Sequence, residues 1–263
     1  MSGNAFGRLS QLSVTTACHG GQTTLENVYF TAPFKIMHPF YPPKRMQLMV
    51  LTASAGIMAG DQQQISYQIR AGSQVEVISQ AFEKIHNMEG ASASRTIQIK
   101  MEKNSLLVYH PQPAIPYKGS AFFSRLEAEI EPGSRLVLCD ILTCGRKSSG
   151  ESFAYRFYEN LVQVKRSGHL IYRDYARFHP QEMDMWGMGM YEGYTHLLQL
   201  TLFGFHWDSS ALSSLGDFLQ ECPHTTGAFT RLSDTDVAIR VLGNTAQELM
   251  DLSSQILSPL WES

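Results

Sequence analysis

Cysteine is scarce in this chain: Cys18, Cys139, Cys144 and Cys222 are the only four in 263 residues. They are too few and too scattered for the disulfide framework of a small secreted domain, and are read as reduced thiols. Charge of one sign is missing too. Lys and Arg number 21 against 24 Asp and Glu, for a formal charge of −3, and no basic stripe offers a face to nucleic acid or to an anionic membrane. No run approaches the roughly 18 apolar residues that a bilayer span requires. The opening Met1-Ser2-Gly3-Asn4-Ala5-Phe6-Gly7-Arg8 has no cationic stretch leading into an apolar one. A cytoplasmic protein is expected, with neither membrane nor nucleic acid as partner.

The familiar catalytic signatures are absent as well. There is no Gly-Lys-Ser/Thr ending of a phosphate-cradling loop and no Gly-x-Gly-x-x-Gly before a helix, and Ser54 is not framed as Gly-x-Ser-x-Gly. Nine histidines include no His-x-x-x-His or His-Glu-x-x-His, and the cysteines form no Cys-x-x-Cys. No nucleophile, base and orienter set can be assembled. Neither an enzyme nor a tightly bound cofactor is expected.

What the chain does have is alternation. Met46 to Thr52, Gln62 to Ile69, Gln74 to Ile78, Thr96 to Met101, Phe122 to Ile130, Arg135 to Ile141, Phe153 to Lys165, His169 to Phe178 and His196 to Phe205 read as strands bounded by Gly, Pro, Asn and Ser. Helical spacing is confined to Ser209 to Gln220 and Thr245 to Leu257, where Thr245 and Glu248 have the spacing of a capping box. Asp236 to Leu242 reads as a buried strand between them. No repeat of fixed length recurs, which excludes a regular propeller or leucine-rich array and leaves a degenerate β-solenoid open. The expectation is one mainly β domain over residues 1–263, with two helices near the C-terminus.

Between two of these strands lies Ser54-Ala55-Gly56-Ile57-Met58-Ala59-Gly60-Asp61, whose glycines suit a tight corner or a close contact. Asp61 follows it at a strand start. Asp140 and Asp174 interrupt the apolar runs Leu136 to Ile141 and Ile171 to Tyr175. A carboxylate inside such a strand must be paired, hydrogen-bonded or hydrated. Salt bridges to Arg146, Arg173 or Arg177 would satisfy that need, and so would a polar interior lined by oxygen ligands. Met183, Met185, Met188 and Met190 surround Trp186; such thioethers suit either a soft metal or, more simply, an adaptable apolar surface that repacks against a partner.

Several motifs, in order, resemble the urease accessory protein family UreD, also called UreH. The turn ending in Gly60-Asp61 is similar to that family's glycine-rich signature, although Ile57 stands where a further glycine is common. Ala81-Phe82-Glu83-Lys84-Ile85-His86 follows, with His86 in place of the usual Tyr. Tyr109-His110-Pro111-Gln112-Pro113-Ala114-Ile115-Pro116-Tyr117 resembles the family's Pro-Gln-Pro-x-Ile-Pro-aromatic run, and prolines at this density suit an edge or connecting segment. Gly145-Arg146 with Gly150-Glu151 and Phe153 completes the set.

The resemblance implies an irregular, helically wound, β-solenoid-like structure with two helices, and a non-catalytic chaperone that binds a UreF-type helical protein, recruits a UreG-type GTPase through it and docks on apo-urease to deliver nickel. On that reading Asp61, Asp140 and Asp174, with Glu83, would line an internal path for transient Ni²⁺. A β-solenoid enzyme acting on polysaccharide through paired acids such as Asp61 and Asp140 is the competing expectation.

Overall fold

The structure, a computed structural model, describes residues 9–262; the opening segment read for a leader, residues 1–8, lies outside the described residues. The alternating runs wind as a coil. β1 (Leu9–His19), β5 (Gln62–Ile69), β8 (Ala93–Met101), β11 (Ala121–Ile130) and β13 (Phe157–Arg166) lie parallel, side by side, in one sheet. Their successors β4 (Met46–Thr52), β6 (Gln74–Ser79), β9 (Leu106–His110) and β12 (Arg135–Thr143) do the same in a second sheet. Each turn of the coil therefore lays one strand on each sheet, the arrangement of a β-solenoid.

Antiparallel strands finish both ends. β2 (Gln22–Phe30) closes on β1 and β3 (Phe34–Ile36) on β4, while β14 (His169–Phe178) closes on β13. β15 (His196–Phe203), β17 (Asp236–Gly243) and β16 (Thr226–Arg231) extend the second sheet beyond β12. The two expected helices form as α1 (Ser209–Glu221) and α2 (Ala246–Leu257), followed by a short α3 (Pro259–Glu262). Asp208 and Thr245 cap the first two by accepting the backbone N–H of Ala211 and Glu248 at 2.7 and 3.2 Å.

Alternation decides where each apolar set goes. Along β9, Leu107 and Tyr109 point between the sheets, whereas Leu106 and Val108 join the outer layer beneath α1 and α2. The middle strands β9 and β12 of the second sheet are thus buried on both faces, and they read as near-continuous apolar runs for that reason. Fourteen further buried residues, among them Ile57, Ile85, Phe122, Tyr155 and Tyr191, form a third cluster at one corner of the coil.

That corner is a short third face. Ile57 bridges Ile85 of β7 (Glu83–Ile85), β7 pairs in parallel with β10 (Ala114–Pro116), and Ala114 meets Leu142. The four segments that carry the family resemblance are successive corners of one coil, stacked here. Gly56 has φ +143°, and a Cβ there would lie 2.3 Å from the Lys84 carbonyl oxygen, so only glycine lets the two corners touch. Gly145, at φ +127°, packs against the backbone of Pro116 and Glu151 in the same way.

Candidate functional site

One level of the coil is polar. Ser10, Gln63, Arg95, Ser124 and Asn160 are direct neighbours across the first sheet, one from each coil, where the adjacent level is Leu12, Ile65, Ile97, Leu126 and Val162. In the second sheet Asp140 pairs with Gln199, and Gln199 with Arg240. The two sheets meet through these groups: Asn160 Nδ2 donates to Asp140 Oδ2 at 3.0 Å, and Gln199 Nε2 to Asp174 Oδ2 at 2.9 Å. Between them lies a cavity of about 110 Å³, running from Phe34, Val50 and Thr52 past Glu83, Tyr109 and Asp140 to Asp174, Gln199 and Thr201. That is room for several waters at roughly 10–15 Å³ each.

The acids along it are held differently. Glu83 is gripped by both guanidinium nitrogens of Arg95, with Nη1 to Oε2 at 2.8 Å, while Arg95 Nε donates to Gln63 Oε1 at 2.9 Å. Burial alone would lower the Arg95 guanidinium, yet the Glu83 charge and hydrogen bonds hold it above its ordinary value. Among the described residues no cation bonds to Asp140; its partner is the Asn160 amide. Burial pushes its carboxyl up to about 6, against the Asn160 hydrogen bond that lowers it. Asp140 lines the cavity. Burial likewise raises the Tyr109 hydroxyl to about 12, and raises those of Tyr67 and Tyr158, so all three remain neutral donors around the cavity.

Asp174 stands at the end of this cavity and also lines an outer groove of about 540 Å³ with Tyr175, Met183, Met190, Ala228 and Arg240. Its Oδ1 accepts from Arg240 Nη2 at 2.8 Å. The arginine expected beside it was Arg146, Arg173 or Arg177. Arg146 instead pairs with Glu151 and Arg177 with Glu159, and Asp174 takes its partner from a strand 66 residues onward.

The structure thus brings Glu83, Asp140 and Asp174 to one cavity and leaves Asp61 out of it. Asp61 Oδ2 accepts the Met58 backbone N–H at 2.8 Å, tying the glycine turn together. That bond ties the carboxylate to the corner that Gly56 and Gly60 make. Asp61 and Asp140 therefore share no open groove, the geometry that paired-acid chemistry on a polysaccharide would need.

The proline run divides. Pro111 and Gln112 line the cavity, with Gln112 N–H donating to Ser79 Oγ at 2.7 Å, whereas Pro113 accepts the Glu83 N–H and Pro116 closes β10. Arg146, its carbon 4.3 Å above the Tyr117 ring, and Glu151 wall a separate shallow pocket with His86. Met185 is buried in the corner cluster, Met183 and Met190 face the outer groove, and Trp186 and Met188 are exposed, Met188 at 96%. Among the described residues no group of three or more His, Cys, Asp or Glu could hold a metal ion, and no described helix is long and apolar enough to cross a membrane.

Sequence reasoning missed Gln63, Arg95, Ser124, Asn160, Gln199 and Arg240. Their one local mark is a polar residue at a position whose neighbours two residues along the strand point inward, as with Gln63 before Ile65 and Tyr67. The competing acids drew attention because a charge in an apolar run stands out, while an amide or serine does not.

Known proteins resemble the chain over nearly its whole length. The profile of the family described as UreD urease accessory protein matches residues 9–262. The chain is 32% identical over 260 residues to the urease accessory protein UreD of Acetivibrio thermocellus, covering 98% of this chain and 99% of that one. It is 30% identical over 255 residues to the urease accessory protein UreH of Helicobacter pylori strain G27, covering 96% and 95%. A UreD from Lachnoclostridium phytofermentans is 27% identical over 259 residues.

Proposed function

This chain belongs to the UreD family of urease accessory proteins, and on that premise we propose that it is a non-catalytic scaffold of urease maturation through whose interior nickel is handed on. It binds a UreF-type protein directly, meets a UreG-type GTPase through that partner, and docks on apo-urease in the cytoplasm. Nickel is cargo here and not a resident cofactor.

The observation that supports the reading most is the polar level inside an otherwise apolar coil. A solenoid core gains nothing in stability from Asp140, whose charge burial opposes. Ni²⁺ accepts carboxylate oxygen, and a lone acid among amides and hydroxyls holds a dication weakly enough to release it. Asp140 and Asp174, set apart along one cavity, offer two such stations. The exposed Trp186 and Met188 beside the outer groove supply an adaptable apolar contact for a protein partner.

Asp140→Asn and Asp174→Asn test this. Each variant should still be captured with a UreF-type partner in a pull-down, while urease matured with it carries less nickel by metal analysis. Full nickel content with both variants would refute the path. A paired-acid enzyme is not favoured, because Asp61 and Asp140 face no common groove.

A further inference from the structure

The two ion pairs near the cavity differ in kind. Arg95 and Glu83 are 12% and 26% exposed and doubly bonded, an arrangement that neither partner leaves cheaply. Arg240 and Asp174 are joined by a single bond, and Arg240 is 60% exposed against 22% for Asp174. Pairs that exposed contribute little to stability and exchange readily. The guanidinium also has somewhere to go. It lines the outer groove, with the small Ala228 beside it on β16.

Position gives that weak bond a consequence. Asp174 and Gln199 are the polar side chains common to the inner cavity and the outer groove, and Arg240 belongs to the groove alone. Asp174 rises from β14 of the first sheet and Arg240 from β17 of the second, so their bond crosses the seam between sheets where the cavity ends. Arg177, the other cation on this stretch of the groove, lies toward Glu159 at 3.8 Å. While Arg240 holds Asp174, a cation approaching that carboxylate meets a positive charge within hydrogen-bond distance of it, whereas a neutral molecule of equal size meets only bulk.

We propose that Arg240 is a displaceable counter-cation at the cavity mouth: it occupies Asp174 in the resting protein, and a small cation passing this end takes its place on the carboxylate. The inference rests on the reading of the cavity as a cation path, and it assigns to Arg240 the control of which charges cross the mouth. Arg240 is a positioning residue in this scheme, acting through Asp174.

A buried reporter inside the mouth tests it without nickel. Thr201→Cys places a thiol on the cavity wall with little change in size. The full chain bearing it is treated with cationic aminoethyl methanethiosulfonate or with neutral hydroxyethyl methanethiosulfonate, and modification at residue 201 is timed by peptide mass spectrometry. Arg240→Gln should raise the cationic rate at least threefold relative to the neutral rate, and Arg240→Lys should leave the ratio as it was. A merely structural role would raise both rates together. An unchanged ratio, or equal acceleration of both reagents, overturns the proposal. Should the Thr201→Cys chain not fold, Ser124→Cys carries the same measurement from another position on the cavity wall. Nickel content of urease matured with Asp140→Asn and with Asp174→Asn is measured alongside: if it is normal with both while the ratio shifts, the path reading falls and the counter-cation stands; if it drops with either while the ratio is unmoved, the reverse holds.

Discussion

Replacing Asp140 by Asn should stabilise the protein, and more so at higher pH. In the folded state burial raises this carboxyl to about 6 from an ordinary value of 3.8. At about 1.4 kcal/mol for each unit, the ionised group costs the fold about 3 kcal/mol once the pH is well above both values. The sign follows from linkage: a carboxyl raised on folding favours the folded state most when protonated, so its contribution is fully present below about 3.8 and is lost as pH climbs through about 6. Asn cannot ionise, and its oxygen still accepts from Asn160 Nδ2. Between pH 5 and pH 8 the variant's advantage should therefore widen by about 1.4 kcal/mol. With a urea slope of about 3 kcal/mol per molar, that is a change of about half a molar in the gap between the two midpoints. Other titrating groups are common to both chains and cancel in the difference. A gap that stays constant across that pH range would refute the claim that Asp140 sits unpaired in a weakly solvated interior.

Gly56→Ala should lower the melting temperature by several degrees, about 2 kcal/mol, because its φ of +143° and the Lys84 oxygen both oppose a Cβ; a calorimetric scan decides it. Arg95→Met leaves Glu83 inside without its partner and should cost about 3 kcal/mol in chemical denaturation, most of it recovered when Glu83→Leu is added; additive losses would show that the pair is not coupled. Met188→Glu, at a side chain 96% exposed, should leave the melting temperature unchanged while weakening capture of the UreF-type partner or of urease; unaltered capture of both would remove this segment from the interface.

Strands and helices were legible because alternation and capping are local. Gln62 to Ile69 shows its two faces within eight residues, and Thr245 with Glu248 marks the start of α2 in four. Phe153 to Lys165 was read as one strand, but β13 begins only at Phe157, because Phe153 and Tyr155 turn into the corner cluster instead of continuing the ladder. The site was legible only in its charges. Asp140 and Asp174 stand out in apolar runs, yet their partners Asn160, Gln199 and Arg240 come from other strands, and only register places them together. Ser10, Gln63, Arg95, Ser124 and Asn160 recur at unequal intervals, so no period betrays that they form one level. Asp61 drew attention for a real reason, a charge beside two glycines. Its role is to bind the turn's own backbone, which a linear reading cannot separate from facing the interior.

The double burial of β9 and β12 in the second sheet sets an order of events on the ribosome. Parallel coils can be laid down one upon another as the chain emerges, each new strand finding its template already in place. The outward side chains Leu106, Val108, Val137, Cys139 and Ile141 share an outer cluster with Leu249, Leu252 and Leu257 of α2, a helix translated after every strand of the coil. A nascent chain halted before Ala246 would leave the outer faces of β9, β12, β15 and β17 without that helix, the kind of surface that recruits holdase chaperones or precipitates. The twelve residues of α2 thus act as the seal on a vessel whose walls come before them in the chain.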